Sequence, residues 1–130
     1  MEAALGKRTY VPIFGNKHLT KDGTGIRDYI HVSDISEAHI KAVEFLFEKR
    51  KNLIVNLGSE KGFSVIDIIN ITKEITGVDI KYKIHNPREG DVPELVASCS
   101  LAKDLIGWSQ PYSTLERIIK STWSIYKNKV

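Results

Sequence analysis

One cysteine, Cys99, in 130 residues leaves no internal disulfide to be made, which fits a reducing compartment. With no paired His motif around it, Cys99 reads as a buried or half-buried, inert thiol. No apolar run approaches the ~20 residues that cross a bilayer, and the opening Met-Glu-Ala-Ala-Leu-Gly-Lys-Arg lacks the apolar core of a signal peptide. The expectation is a cytoplasmic protein without a membrane partner. Charge of one sign is scarce as well: 19 basic and 16 acidic residues are spread along the chain, for a net +3. The longest basic run, Lys49-Arg50-Lys51, sits where a helix should end and where cations suit its dipole. A nucleic-acid partner would need clustered cations, so none is expected. The mild positive balance suits an anionic small molecule.

Catalytic signatures are missing too. His18, His31, His39 and His85 have no metal-ligand spacing and gain no dependable carboxylate or Cys partner. There is no G-x-S-x-G, no paired carboxylate on a recognisable scaffold and no Tyr-x-x-x-Lys. Neither a catalytic residue nor a metal site is expected in this chain.

What is present is an ordinary globular mixture, 42% apolar and 27% charged. The length is one domain's worth, enough to bury about two-thirds of the unfolded surface. Residues 9–15 read as a short strand that Pro12 confines to an edge or an irregular start. A glycine-bearing loop follows to Gly25, and IRDYIHV (26–32) looks extended. Asp34 with Glu37 makes a capping box for a helix that carries Ile35, Ala38, Ala42, Phe45 and Leu46 near one face. LIVNLG (53–58) has the length and continuity of a buried strand. Ser64 and Asp67 open another helix, which Gly77 stops. IKYKIH (80–85) alternates as a half-buried strand does, and ELVA (94–97) allows one more short strand. A short helix from Ala102 closes at Gly107, and Ser113 with Glu116 caps a last helix bearing Leu115, Ile118, Ile119, Trp123 and Ile125. Trp108 and Trp123 follow the apolar pattern and belong to core or rim. The chain is mixed α/β, with no internal boundary, repeat or linker.

Three polar loops at strand ends stand out. In TKDGTGIRDYIHVSD (20–34), glycines permit close approach of a ligand, and Arg27 and Tyr29 share one face of an extended segment. Arg27 suits a phosphate and Tyr29 an adjoining ring; a surface turn with an exposed Arg is the alternative. In NPREGDVPE (86–94), Arg88 offers a bidentate fork to phosphate and Asp91 accepts from vicinal hydroxyls. The alternative there is a mutual Arg88–Asp91 surface ion pair worth ~0–1 kcal/mol. NLGSEKGFS (56–64) resembles half a phosphate loop, but its G-x-x-x-G spacing is not the G-x-G-x-x-G of a dinucleotide fingerprint. The strand after its helix carries Lys81 and Lys83 and ends in no acid, so this segment reads as a structural turn.

The wording of these loops resembles one family. PIFGNKHLTKDGTGIRDYIHVSDISEAHIKA (12–42) is similar to the I-F-G and T-x-D-G-T-G-x-R-D-Y-I-H-V-x-D-L stretch of the UDP-glucose 4-epimerases. NLGSEKGFSVIDII resembles their N-L-G-x-x-x-G-x-S-V, PREGDVPE their R-x-G-D loop, and SLAKDLIGW their S-x-A-x-x-x-L-G-W with Ile106 for Leu. The segments come in family order and cover nearly the whole chain. Nucleotide-sugar dehydratases and decarboxylases share the R-D and G-D elements, but the full D-G-T-G-x-R-D-Y-I-H-V string is more specific to the 4-epimerases.

The resemblance implies an extended short-chain dehydrogenase fold, of which residues 1–130 would be the smaller, mixed α/β, C-terminal UDP-sugar-binding domain. The NAD-binding Rossmann domain and its Tyr-x-x-x-Lys pair would lie outside this chain, making it inactive alone. The reaction implied is interconversion of UDP-glucose and UDP-galactose by oxidation and reduction at C4, by a homodimeric full-length enzyme. By motif, Pro12, Ile13 and Phe14 would line the uridine, and Arg27 and Arg88 would hold the diphosphate. Tyr29 would pack the nucleotide end, and Asp91 would bind the ribose. Leu95 stands where the family varies between an aromatic and a small residue beside the sugar. Ser98 replaces a usual Asp, which weakens a helix cap. Competing readings are a related dehydratase or decarboxylase, or a non-enzymatic module that binds anionic polymers.

Overall fold

The computed structural model describes residues 1–128. In chain order its elements are β1 (Val11–Phe14), β2 (Ile26–Asp28), α1 (Val32–Lys49), β3 (Gly62–Ser64), α2 (Val65–Thr76), β4 (Tyr82–His85), β5 (Glu94–Leu95), α3 (Ser100–Ile106) and α4 (Leu115–Lys127). The strands form two small sheets. β1 and β4 run parallel, with Pro12 opposite Lys83 and Phe14 opposite His85. In the other sheet β2 is central, antiparallel to β3 and parallel to β5. Pro12 is tolerated because β1 has a ladder neighbour on one side only.

Two apolar clusters hold these layers. Ile13, Ile69 and Ile80 with Ala4 join β1 to α2, with Trp123 of α4 against them. Ala38, Cys99, Ala102 and Trp108 join α1 to α3, covered by Val55, Leu57 and Ile106. Cys99 is thus a core residue, and burial pushes its thiol above the ordinary value although the Gly58 carbonyl accepts from it. Trp108 is buried, and its Nε1–H donates to the Asp34 carbonyl at 2.7 Å.

Several local signals act as expected. Ser64 caps α2 in a capping box with Asp67, and Gly77 ends that helix in the left-handed region at φ 70°. Gly107 ends α3 in the same way at φ 60°. α1 stops at Lys49, and Lys49-Arg50-Lys51 lies at its C-terminus.

Other expectations give way. Residues 26–32 are extended only to Asp28, and α1 already begins at Val32 with His31 as its N-cap, the Nδ1 of His31 accepting from Ser33 N–H. Asp34 therefore caps nothing; it is buried in the first turn, where Tyr112 N–H and Ser113 Oγ–H both donate to its carboxylate. Ser113 is committed to that bond, so the cap of α4 falls to Thr114, which accepts from Arg117 N–H. On α4 itself Ile125 is 55% exposed and lies off the buried stripe of Leu115 and Ile119. The strand in 80–85 is Tyr82–His85, and all four of its residues are exposed because β1 is its sole strand neighbour among the described residues. Residues 53–58 form no strand: no described segment offers a ladder to their backbone, so Val55 and Leu57 pack inward while Ile54 stays 90% exposed. Ser98 bonds Ser100 Oγ instead of capping α3, whose N-cap, Cys99, has no side-chain bond. No helix among the described residues is long and apolar enough to cross a membrane.

Candidate functional site: a cleft between two arginines

Because β1 and β4 are parallel, their C-terminal ends lie side by side. Phe14 ends one strand, and the loop carrying Arg88 and Asp91 leaves the other. Parallel strand ends are where open α/β sheets hold ligands. Here Pro12, Ile13, Phe14, Arg27, Arg88 and Asp91 line one cleft of about 250 Å³, with His18, Gly25 and Val65 completing its wall. Six of the eight residues expected at a site thus converge from three separate segments. Within that wall Ile13 differs from its neighbours, since the whole residue is 1% exposed and sits in the core. Tyr29 is half-buried outside the cleft's lining, and burial pushes its phenol above the ordinary value while Arg27 opposes that shift. Leu95 pairs with Arg27 in the β2–β5 register but is 60% exposed, also outside the lining.

The two arginines are held differently. Arg27 Nη1 donates to its neighbour's carbonyl, Ile26 O, at 2.7 Å, and Nη2 lies 3.6 Å from the Asp91 carboxylate, both side chains being about one-third exposed. At that length and exposure the pair is worth ~0–1 kcal/mol, whereas a charge-assisted bond to phosphate gives ~1.5–3 kcal/mol. A bound phosphate would therefore outcompete Asp91 and leave its carboxylate free for hydroxyls. The ion pair considered from sequence, Arg88 with Asp91, is replaced by Arg27 with Asp91. Arg88 instead lies over the Phe14 ring, Cζ 3.8 Å from the centroid. A cation–π contact uses the face of the guanidinium and leaves the N–H edges in its plane free to donate.

The loop that carries the D-G-T-G string is built to hold its shape. Asp22 accepts from Thr24 N–H at 2.9 Å, from Thr24 Oγ at 2.7 Å and from Ser64 Oγ–H. Lys21 pairs with Asp67 at 2.6 Å, so the loop is tied to the N-terminus of α2 at two points. Gly23 has φ 79°, and a Cβ there would overlap the Asn16 carbonyl. Asp28, next to Arg27, accepts from Ala97 N–H at 3.2 Å and ties down the segment just after β5. Burial disfavours the charge on Asp22, but the bonds from Ser64 and Thr24 outweigh it and its carboxyl lies below the ordinary value.

A dinucleotide does not fit the other glycine loop. A Cβ at Gly58 would overlap the Asp28 carboxylate, and one at Gly62 would overlap Ile26. The space beside both glycines is already filled by this chain's own side chains. The Asp67 N–H of the helix start is taken by Ser64, so no pyrophosphate cradle remains.

Residues 2–58 match the NAD dependent epimerase/dehydratase family. The chain is 38% identical over 128 residues to the UDP-glucose 4-epimerase of Lacticaseibacillus casei, spanning 98% of itself and 39% of that protein. It superposes with a TM-score of 0.94 on a UDP-glucose 4-epimerase from Stenotrophomonas maltophila solved with NAD and formylated UDP-arabinopyranose, at 36% identity over 98% of this chain and 38% of that one. A UDP-Glc/GlcNAc 4-epimerase from Campylobacter jejuni gives a TM-score of 0.84 at 42% identity, over 98% of this chain and 38% of that one. The chain thus spans about two-fifths of the length of the relatives it matches. In sequence and in fold it is homologous to part of the UDP-glucose 4-epimerases.

Proposed function

We propose that this chain is the C-terminal, UDP-sugar-binding part of a cytoplasmic, homodimeric enzyme that interconverts UDP-glucose and UDP-galactose by NAD-dependent oxidation and reduction at C4. The observation that carries this reading is the convergence of Arg27 from β2 and Arg88 from the loop after β4 on one cleft, with Asp91 paired to Arg27. Two guanidinium groups facing one space suit a dianionic linker better than any neutral ligand. Arg27 and Arg88 bind the diphosphate, Asp91 accepts from the ribose hydroxyls, and Pro12 and Phe14 wall the uridine, backed by the buried Ile13. Tyr29 packs behind the nucleotide end, and Leu95 stands toward the sugar.

When bound to the enzyme, NAD supplies the hydride acceptor and donor. Among the described residues none forms a dinucleotide site, and the sequence has no Tyr-x-x-x-Lys pair, so this chain's part is to bind and orient, with no proton or hydride step of its own. Calorimetric titration with UDP checks the reading: the chain binds it, and Arg27→Ala weakens binding by roughly tenfold or more. In a coupled assay with added NAD the pure chain turns over no UDP-galactose. Unchanged UDP affinity in Arg27→Ala overturns the site, and turnover by the pure chain overturns the division of labour.

A further inference from the structure

Arg88 does not lie on Phe14 in isolation. Phe14 faces His85 across the β1–β4 ladder, ring centroids 5.7 Å apart and tilted by 39°. His85 in turn stacks on Tyr10 at 5.9 Å and 17°. Lys83, two residues before His85 on the same strand face, lies over the Tyr10 ring at 4.5 Å. A continuous column results, Lys83–Tyr10–His85–Phe14–Arg88, with three rings between two cations. It runs along the open face of the small sheet, opposite the face that buries Ile13. Nothing in the epimerase-like wording of the loops points to Tyr10 or His85; they lie outside the matched strings.

The column matters because of what Arg88 lacks. Among the described residues no carboxylate lies within salt-bridge distance of it, and its loop turns through Gly90 at φ 79°. Its guanidinium lies over one ring, and that ring packs against His85. We propose that His85, stacked between Tyr10 and Phe14, is a positioning residue that holds the Phe14–Arg88 pair so that Arg88 presents its N–H edge to a nucleotide diphosphate. This rests on the nucleotide reading of the cleft. Truncating His85 leaves Phe14 free to turn about its χ angles, and Arg88 then spends its time among orientations that do not face the cleft. The cost falls on binding and spares the fold, because every residue of β4 is exposed and no core cavity opens.

The test uses the unaltered chain, His85→Ala and His85→Phe, each read in two ways. Without nucleotide, the ring current of Phe14 shifts the Arg88 side-chain protons upfield in the NMR spectrum. That shift collapses in His85→Ala and survives in His85→Phe. With UDP as the titrant, His85→Ala binds ~3- to 10-fold more weakly and His85→Phe within about twofold of the unaltered chain. Melting temperatures of all three agree. An Arg88 shift that persists in His85→Ala overturns the column as the cause of orientation, whether or not UDP binds. A collapsed shift with undiminished UDP affinity overturns its use in binding. Failure of the unaltered chain to bind UDP, with the shift behaving as expected, overturns the nucleotide reading and with it the role assigned to His85.

Discussion

Two polar clusters in this chain look alike as text and differ as physics. One is the pair of clasps around Asp22 and Asp34. Asp22 collects donors from Thr24 and Ser64, and Asp34 collects them from Tyr112 and Ser113 while its carbonyl takes the Trp108 indole. In both clasps nearly every polar group is spoken for by another part of the same chain. The other cluster is the cleft, where Arg27 keeps one loose contact to Asp91 and Arg88 rests on a ring. Its hydrogen-bonding capacity is mostly unspent. Satisfied polar groups give shape, and unspent ones facing a concavity are available to a ligand. The string T-K-D-G-T-G-I-R-D-Y contains both kinds side by side, so its residues are not one functional unit.

The sharpest way to break that distinction is to cut a clasp and a cleft residue in parallel. Asp34→Ala removes the carboxylate of a residue that is 1% exposed and leaves the hydroxyl proton of Ser113, 7% exposed, without its acceptor. Losing these charge-assisted bonds in a buried place should cost ~3 kcal/mol of stability, read from urea unfolding of both proteins. UDP affinity, measured on the folded fraction, should stay unchanged. A folded variant with full stability would remove the clasp from the account of the fold.

Arg88→Ala should do the reverse. UDP affinity falls by roughly tenfold to over a hundredfold, the equivalent of ~1.5–3 kcal/mol, while the melting temperature holds. Lys83→Ala serves as the control, because Lys83 lies at the far end of the aromatic column, outside the cleft lining. Titration curves that coincide for the two variants would remove the site assignment.

How much of this is legible in sequence divides along the same line. Signals that act within a few residues are readable: the Ser64–Asp67 box, the glycine stops at Gly77 and Gly107, and the cations closing α1. Signals settled by a distant partner mislead. Asp34 and Glu37 have capping-box spacing, but Ser113, far along the chain, claims Asp34. Residues 53–58 have a strand's composition, yet a strand exists only where a neighbour supplies a ladder. In the site, the resemblance assigns six residues of the cleft's wall and gives no role to His18, Gly25 and Val65. His85 is invisible for a plainer reason: its two stacking partners come from β1 and the residue just before it, and pairing in register alone brings them together.

Leu95 tests where the cleft ends. At 60% exposure it is no core residue, so Leu95→Tyr has no core to overpack and should leave the melting temperature unchanged. A branched aliphatic side chain beside the sugar leaves room that a ring would fill. In a complete, active enzyme bearing this sequence, UDP-GlcNAc should be accepted detectably, and Leu95→Tyr should lower its kcat/KM while sparing UDP-glucose. One group of that size in an apolar wall is worth ~1–3 kcal/mol, about tenfold or somewhat more. Specificity constants for both sugars decide it, and an equal loss on both would remove Leu95 as a gate.

The smallest effect separates clasp from cleft by acid. Asp22 and Asp67 both hold carboxyls below the ordinary 3.8: burial disfavours their charge, but bonds from Ser64 to Asp22 and from Lys21 to Asp67 outweigh it. The folded chain therefore binds these protons more weakly than the unfolded chain does. Stability from such groups is fully present above the unfolded value and is lost as the pH falls below 3.8 through the folded values. Asp22 is exposed to solvent, which screens its charge, so its share stays below ~1 kcal/mol. Melting temperatures of the unaltered chain and Asp22→Asn, followed from pH 7 to about pH 2.5, should differ most at neutral pH. The gap should narrow below pH 3.8 as the unaltered carboxyl takes up its proton. Arg27→Ala, altered in the cleft, serves as the comparison, because it leaves every donor to Asp22 in place. A constant gap for Asp22→Asn would mean that the loop is held by its hydroxyl and backbone bonds without help from the charge on Asp22.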